Sequence, residues 1–552
     1  MQRRHLVWFF VELCGFVFIL GCNASDSTTR RNSGDTDSTS DPDTDAGADA
    51  NTSAYADAGA DAGIDLDFET PRSCDEARKL KSNIGCEYWA VDLDNSESLL
   101  GNDNAAGDRF AVAVANVGNQ GSSHVEVHIN NADPGMPLDL DLVETRDIAE
   151  RDLYLFELPR RDVDGENVTV GVDNGPQTWL SSRAFRITSS VPVVAFQFNP
   201  LNQKFSNDAS LLLPTSGLGK NHLVLGYPPS GPNALQKNRG YVTIVGTSED
   251  TSVQVTPAFD IMAGEGIEAI QKGELAEFTI GPFDVINLET RLEKADDSIP
   301  PDLTGSTVSS DKSVAVFFGT DLSLVSNTQK FPFSCCAEHM EQQVLPSEAM
   351  GQKFVVSHSA HRNWNKPEED MYRIMAYSDN TKVLTNLPEP NASFTLSSGQ
   401  FREIFSSIGF VVDSTGPLHV GQYLVAQGDT GAAMGDSALL YVPAVNQRRK
   451  HYIFTTGRGF ATNHAVISMP EGSKAIIDDE DLKKSPMCRG PIVDGELDDV
   501  NYEAWTCDIL DGDHEVYSNA PIGVFVYGYY SAGSYAYPAG SDLRRINPDV
   551  VE

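Results

Sequence analysis

The feature that most constrains this chain is internal repetition. A hairpin-like pair of segments recurs along it. Phe110–Asn116 is followed by His124–Ile129, Tyr241–Thr247 by Thr251–Thr256, Met371–Tyr377 by Thr381–Leu384 and, most weakly, Asn463–Ser468 by Ser473–Ile477. A second segment follows each hairpin: Ser189–Gln197, Ser310–Phe317, Gly416–Gln422 and Ala520–Phe525. A third, ending in Pro, appears as Leu211–Pro214, Val344–Pro346 and Leu440–Pro443, with aromatic or aliphatic strand starts such as Phe354 and Tyr452 soon after. Val, Ile, Phe and Tyr alternate with polar residues inside these segments, and Gly, Asn, Asp, Ser and Pro punctuate them, which is the pattern of short strands. About four copies of roughly 100–130 residues predict an all-β body of tandem β-rich repeats. Two arrangements suit that size: β-sandwich modules, or a propeller-like closed array with two blades per repeat.

The repeats begin near Ser73, and what precedes them differs in kind. Arg3 and Arg4 lead a short apolar run, Leu6 to Leu20, that ends in Gly21-Cys22. The run is too short for a comfortable membrane span and reads as a signal peptide over residues 1–21. Its end resembles a bacterial lipobox, which makes Cys22 the lipidated residue and the membrane anchor. Asn23 rather than Asp follows it, which favours the outer membrane and a surface-exposed position. Residues 22–72 are rich in Asp, Ser, Thr, Ala, Gly and Asn and nearly lack large apolar side chains, so they predict a disordered acidic stalk. Asp41, Asp43 and Asp45 alternate as in a calcium loop. Ala46 and Thr52 stand where an EF-hand needs Gly and Glu, so a solvated stalk is expected there instead.

The net charge is −39 over 552 residues. That excludes a nucleic-acid partner, which needs clustered Lys and Arg, and disfavours docking on anionic lipid headgroups. It suits solubility outside the cell, or the binding of cations and basic partners.

Six cysteines fall in the body, an even number that argues for disulfides in an exported protein. Spacing suggests Cys74 with Cys86 and Cys488 with Cys507. Cys335 and Cys336 are left to bridge each other or to pair elsewhere. The run Cys335-Cys336-Ala337-Glu338-His339 also offers thiolate and imidazole for zinc, although the second half of such a site is missing.

Two stretches resemble the N-terminal domain of the IgGFc-binding protein family: Cys86-Glu-Tyr-Trp89 leading into the Phe110 hairpin, and Phe333–Pro346 followed by Gly351–Val355. The resemblance spans residues from about 80 to 550. It implies an extracellular body that binds protein or glycan, by fold analogy. It carries no Fc-contacting motif that maps onto residues here.

A search for catalytic signatures finds no G-x-S-x-G, H-E-x-x-H or P-loop, so no enzyme is expected. His358 and His361 fall in a strand-to-loop segment, and on a strand their spacing would put them on opposite faces, which is poor for a shared site. Asp511, Asp513, His514 and Glu515, and the run Asp478–Asp481, read as solvated loops. Asp92, Asp94 and Asn95 could offer oxygen ligands to calcium, but no cofactor or metal is expected. Tyr527, Tyr529, Tyr530, Tyr535 and Tyr537 read either as a stacking surface or as the alternation of a terminal strand. The expectation is a non-enzymatic, adhesin-like surface lipoprotein with an extracellular protein or polysaccharide partner. Its rivals are a structural envelope or matrix protein without a discrete ligand and, further off, a hydrolase of envelope polymers.

Overall fold

The alternating segments fold as strands, and the computed structural model shows what their order is for. It describes residues 70–96, 105–118, 120–165, 175–201, 206–230, 238–291, 300–331 and 334–550. Cys22, the signal peptide, the Asp41–Asp45 run and nearly all of the stalk lie outside the described residues. Among the described residues, no helix is long and apolar enough to cross a membrane.

Four modules follow one another. Module 1 opens with a short helix, α1 (Cys74–Leu80), which Ser73 caps by accepting from the Glu76 N–H. Its strands are β1 (Gly85–Ala90), β2 (Ala111–Asn116), β3 (Ser123–Asn130), β4 (Leu140–Ile148), β5 (Leu153–Glu157), β6 (Trp179–Ser181), β7 (Phe185–Asn199) and β8 (Asp208–Leu212). Module 2 holds β9 (Asn221–Leu223), β10 (Gly240–Gly246), β11 (Thr251–Thr256), β12 (Ala276–Ile280), β13 (Val285–Glu289), β14 (Thr307–Ser310), β15 (Val314–Ser323) and β16 (Glu338–Gln343). Module 3 holds β17 (Gly351–Val356), β18 (Asp370–Ala376), β19 (Thr381–Thr385), β20 (Ser393–Leu396), β21 (Phe401–Ser406), β22 (Phe410–Leu424) and β23 (Ala438–Tyr441). Module 4 holds β24 (Arg449–Thr455), β25 (Thr462–Pro470), β26 (Ala475–Ile477), β27 (Glu480–Asp481), β28 (Cys488–Leu497), β29 (Val500–Ile509), β30 (Asp513–Tyr530) and β31 (Gly533–Pro538).

One long strand organises each module by belonging to two sheets. The first half of β7 pairs with β1 and β3, and its second half with β2 and β8. The same holds for β22 with β17 and β19, then β18 and β23, and for β30 with β24 and β26, then β25 and β31. The halves meet at Pro192, Pro417 and Pro521, where the missing N–H interrupts the ladder and lets the strand change sheets. A serine three residues earlier steadies the bend in two of them: Ser189 Oγ donates to Val191 O at 2.5 Å and Ser414 Oγ to Gly416 O at 2.7 Å. Module 2 has Ser310 donating to Lys312 O at 2.7 Å but no proline. There the break is complete, and the long strand becomes two, β14 and β15, in separate sheets.

The two sheets of a module bury differently. Strands β2, β10 and β18 are buried at every position, and β25 at all but its ends. β3 and β11 alternate, with Val125, Val127, Val253 and Val255 inside and Glu126 and Gln254 turned toward solvent. The first set lies in the inner sheets, covered on both faces. Burying one Val, Ile or Leu there is worth about 1.5–3 kcal/mol, against about 0–1 kcal/mol for a surface pair such as Arg78–Asp75, so the inner sheets hold the fold.

The last strand of each module faces the same centre. β8 packs on β16, β16 on β23, β23 on β31, and β31 back on β8. Sandwich-like modules and a closed array are therefore both present: four two-sheet modules close into a ring. Gln342 on β16 ties the centre together, donating from Nε2 to the carbonyls of Ala209 (2.7 Å), Leu439 (2.8 Å) and Ala536 (3.1 Å), one in each other module. The start of module 1 is also joined to the segment after module 4. Asn83 N–H donates to Ser541 O at 2.9 Å and Leu543 N–H to Lys81 O at 2.7 Å.

Candidate functional site

Three disulfides use the six body cysteines: Cys74–Cys86, Cys335–Cys336 and Cys488–Cys507. The vicinal pair removes the thiolates that a zinc site at this run would need. His339, from the same run, points into the core, with Nδ1 donating to Thr320 O at 2.9 Å and Nε2 lying 3.4 Å from Glu341 Oε2. Burial holds its pKa down at about 4.

Several sequence expectations are corrected by the packing. Tyr527, Tyr529, Tyr535 and Tyr537 are buried, and only Tyr530 is exposed, so the stacking-surface reading fails and strand alternation accounts for them. Their hydroxyls have partners within the fold: Tyr527 donates to Gln422 Oε1 at 3.0 Å and Tyr529 to Ala360 O at 2.7 Å. His358 and His361 lie in the loop just beyond the end of β17, where the strand passes into a loop, and their ring centroids are 4.5 Å apart rather than on opposite faces. Both His358 nitrogens are engaged by the carbonyls of Ser359 and Glu368. His514 and Glu515 are not solvated loop charges either. They sit on β30, where His514 bonds Asp478 at 2.6 Å and Glu515 bonds His451 at 2.7 Å. Asp511 and Asp513 line a cleft of about 640 Å³ between modules 1 and 4. Glu157, on the other wall, is paired with Arg109 and with Arg458 at 3.4 Å.

The densest charge lies where module 1 meets module 2. Asp92-Leu93-Asp94 follows β1, and Asp162-Val163-Asp164 follows β5. The two segments form a parallel bridge at Asp92 and Asp162. Arg161 N–H donates to Asp92 Oδ2 at 2.8 Å, Asp164 N–H to Asp162 Oδ1 at 3.1 Å, and Arg160 pairs with Asp162 Oδ2 at 3.2 Å. Module 2 brings Glu289 from β13 and Asp321 from β15 to the same place. One carboxylate oxygen from each of Asp94, Asp164 and Glu289 lies within 4.8 Å of the others, and all three residues are buried. Asn287 Nδ2 donates to Glu289 Oε1 at 2.9 Å, and Arg239 N–H to Asp321 Oδ2 at 2.8 Å. Tyr241 hangs over the group, its hydroxyl donating to Asp94 O at 2.6 Å. Gly319 of β15 makes room for that ring, since a Cβ there would sit 2.3 Å from the Tyr241 hydroxyl.

Burial without full compensation raises these acids. Asp92 is pushed up to about 8 by burial and then by Asp162. Asp94 is pushed well above the carboxylate range by burial, then by Asp321, Asp164, Asp162 and Glu289. Asp321 rises to about 6, burial outweighing its hydrogen bond with Asp94 and the nearness of Arg239. Of the three calcium candidates read from sequence, Asp94 joins the group and Asp92 stands beside it. Asn95 does not: its side chain bonds Ser206 O at 3.0 Å and the Ser96 N–H at 2.6 Å. Asp164, Glu289 and Asp321 escaped sequence reading. The repeated Asp-x-Asp at positions 92–94 and 162–164 was the signal for the first of them.

The surface carries a second feature. Met136, Leu138, Leu140 and Leu142 are 62, 41, 43 and 51 % exposed, at every second position along the approach to β4 and its first residues. β4 ends the strand order of its sheet, pairing with β3 on one side. Asp139 and Asp141 alternate with the leucines.

Comparison with known proteins adds one match. The model of a family described as IgGFc binding protein matches residues 208–528, more than half of the chain. The span runs from β8 to β30 and so covers modules 2 and 3 and most of module 4. No curated protein matches the chain.

Proposed function

The chain belongs to the IgGFc-binding protein family, and from that premise we propose that it is a non-enzymatic, adhesin-like protein that binds an extracellular protein partner. The family suggests a protein-binding, extracellular domain. The finer reading is that lipidated Cys22 holds the chain on the outer membrane, that residues 22–72 act as a stalk, and that the ring of modules is presented at the cell surface.

The observation that carries the binding reading is the apolar row from Met136 to Leu142 at a sheet edge. An exposed row of this kind on an edge strand invites an added strand from a partner, with backbone hydrogen bonds giving affinity and the leucines giving contact area. Asp139 and Asp141 between them favour a partner segment bearing Lys or Arg.

The test is capture of secreted proteins, polysaccharides and immunoglobulin Fc on the full-length protein in detergent micelles. Saturable binding of a protein ligand, weakened at least tenfold by Leu140→Asp with Leu142→Asp, supports the reading. Absence of any saturable protein ligand sinks it, as does binding untouched by that double substitution. For the anchor, Cys22→Ser is expected to abolish labelling by a clickable palmitate, and retained labelling would refute it.

A further inference from the structure

We propose that the cleft between modules 1 and 4 takes an extended, basic segment of a partner protein, which adds as a strand along the free edge of β5. This extends the protein-binding reading above to a second edge of the molecule.

The topology supplies the edge. β5 pairs with β2 on one side and ends the strand order of its sheet on the other. Leu153, Tyr154, Leu155 and Glu157 of this strand line the cleft. Successive side chains of a strand point to opposite faces. A cavity against one face would touch alternate residues, whereas this one touches both sets and so runs along the edge itself. Its volume of about 640 Å³ lies within the roughly 300–1,000 Å³ of specific ligand sites. An unpaired edge there offers backbone donors and acceptors to an incoming strand, while the facing module limits what can reach it.

β4, at the other end of the same sheet, closes one side of the cleft. Its pairing with β3 shifts between Val127 and His128, which leaves Val143 as an extra residue. Leu140 and Leu142 stay on the outer face, and the bulge turns Glu144 to the inner face opposite the buried Val127. The Tyr154 hydroxyl donates to Glu144 Oε1 at 2.8 Å and fixes that carboxylate beside β5. Module 4 supplies the opposite wall. There the turn Asp511-Gly512-Asp513 is held by Thr455 Oγ1 donating to Gly512 O at 3.2 Å and by Gly512 N–H donating to Thr456 Oγ1 at 2.9 Å.

Charge selects the occupant. Glu157 is paired with Arg109 and Arg458, and Glu144 with Arg146 at 3.0 Å. Asp511 and Asp513 have neutral partners among the described residues. Asp511 Oδ1 accepts from Asn463 Nδ2 at 2.7 Å, and Asp513 bonds the Thr455 side chain. Leu155, Phe198 and Leu201 give the cleft apolar walls for the aliphatic stem of a Lys or Arg, and the two aspartates at its mouth meet the charged head. The net charge of −39 argues against a second copy of this chain as the occupant, since it would bring mainly like charge.

The experiment uses the full-length protein in detergent micelles carrying Leu140→Asp and Leu142→Asp. These take the β4 edge out of competition, so this proposal and the earlier reading fail separately. The probe is a fluorescein-labelled peptide of alternating Lys and Val, followed by anisotropy. It is compared with a Glu and Val counterpart and with a Lys and Val peptide N-methylated at alternate residues, which keeps its charge but cannot pair as a strand. The expected result is saturable binding of the unmodified Lys and Val peptide alone, weakened about tenfold by Asp511→Asn with Asp513→Asn. No saturable binding up to about 1 mM peptide overturns the proposal. So does an N-methylated peptide that binds as tightly, which would mean charge attraction without strand addition. Equal binding of the Glu and Val peptide, or binding untouched by the aspartate substitutions, overturns it as well. Should the aspartate variant fail to fold, the three peptides on its parent decide.

Discussion

Two junctions of the same ring are filled in opposite ways. Between modules 4 and 1, aromatic side chains interlock: Phe196 meets Tyr537 at 5.0 Å and Phe198 meets Tyr535 at 6.2 Å, all four buried. Their hydroxyls are satisfied inside the fold, Tyr537 by Thr455 O and Tyr535 by Asn463 Oδ1. Between modules 1 and 2, carboxylates gather instead, with Arg239 and Arg160 as partial counter-charges. The aromatic seam is held by burial and by bonds to its tyrosine hydroxyls, and burial keeps those tyrosines neutral, so the seam itself does not titrate near neutral pH. The acidic seam is conditional, because burial keeps carboxyls such as Asp92 and Asp321 protonated at pH values where the unfolded chain has released those protons.

The largest effect expected on this comparison is at the aromatic seam. Tyr537→Ala should destabilise the body by about 3–5 kcal/mol in urea denaturation, equally at pH 6 and pH 8. A strong dependence on pH would erase the distinction between the seams.

The next tests the conditional seam. Asp92 and Glu341 are pushed up to about 8, and so is Asp436 near the ring centre, all chiefly by burial. In the unfolded chain such groups titrate near ~4. The folded state therefore holds protons that the unfolded state has released. That stability is complete below about pH 4 and is lost as pH rises toward about 8. His222, His339 and His419 act in the opposite sense, since burial lowers them to about 3, 4 and 4. Their contribution is lost as pH falls below ~6.5 and is constant above it. Between pH 6.5 and 8 the lowered histidines no longer act while the carboxylates still do, and His514, which burial lowers but its bond to Asp478 raises on balance, acts in the same direction as the carboxylates. The melting temperature should fall by several degrees across that window, and a flat or rising profile would contradict the account.

A smaller effect is expected at the centre. Gln342→Ala removes the donor shared by three carbonyls and should cost about 1–3 kcal/mol in the same urea assay. The smallest is at the exposed edge. Leu140→Asp should change stability by no more than about 0.5 kcal/mol while reducing partner binding, and a large stability loss would mean that the row is structural.

The repeats were legible because their cause is local. Hydrophobic alternation marks the hairpins, and the prolines at 192, 417 and 521 mark where the long strands change sheets. Ring closure stood in the sequence only as one of two arrangements, with nothing to choose it. The strands that meet at the centre are short, and Gln342 finds its partners in three other modules, at separations no periodicity encodes. The acidic junction was half visible. Asp92 and Asp94 stood out by spacing, but Glu289 and Asp321 come from ordinary strands of the next module. Asn95 was misplaced because its amide turns to Ser206 and Asn199 instead. The terminal tyrosines illustrate the same limit: alternation placed them in a strand, and only packing against Phe196 and Phe198 shows that neither face of it is free.

Gln342 also bears on interchangeability. The four modules share one topology, yet only the second supplies the amide that reaches into the other three. The corresponding stretches of the others read Asp208–Leu212, Ala438–Tyr441 and Gly533–Pro538, none containing glutamine. A recombinant ring with module 2 replaced by a second copy of module 3 would keep its strand order and leave three central carbonyls without that donor. Shuffling of these repeats is therefore restricted by contacts that module 2 alone makes, this amide and the β6–β13 pairing among them, and the order in which they stand along the chain carries information that their shared fold does not.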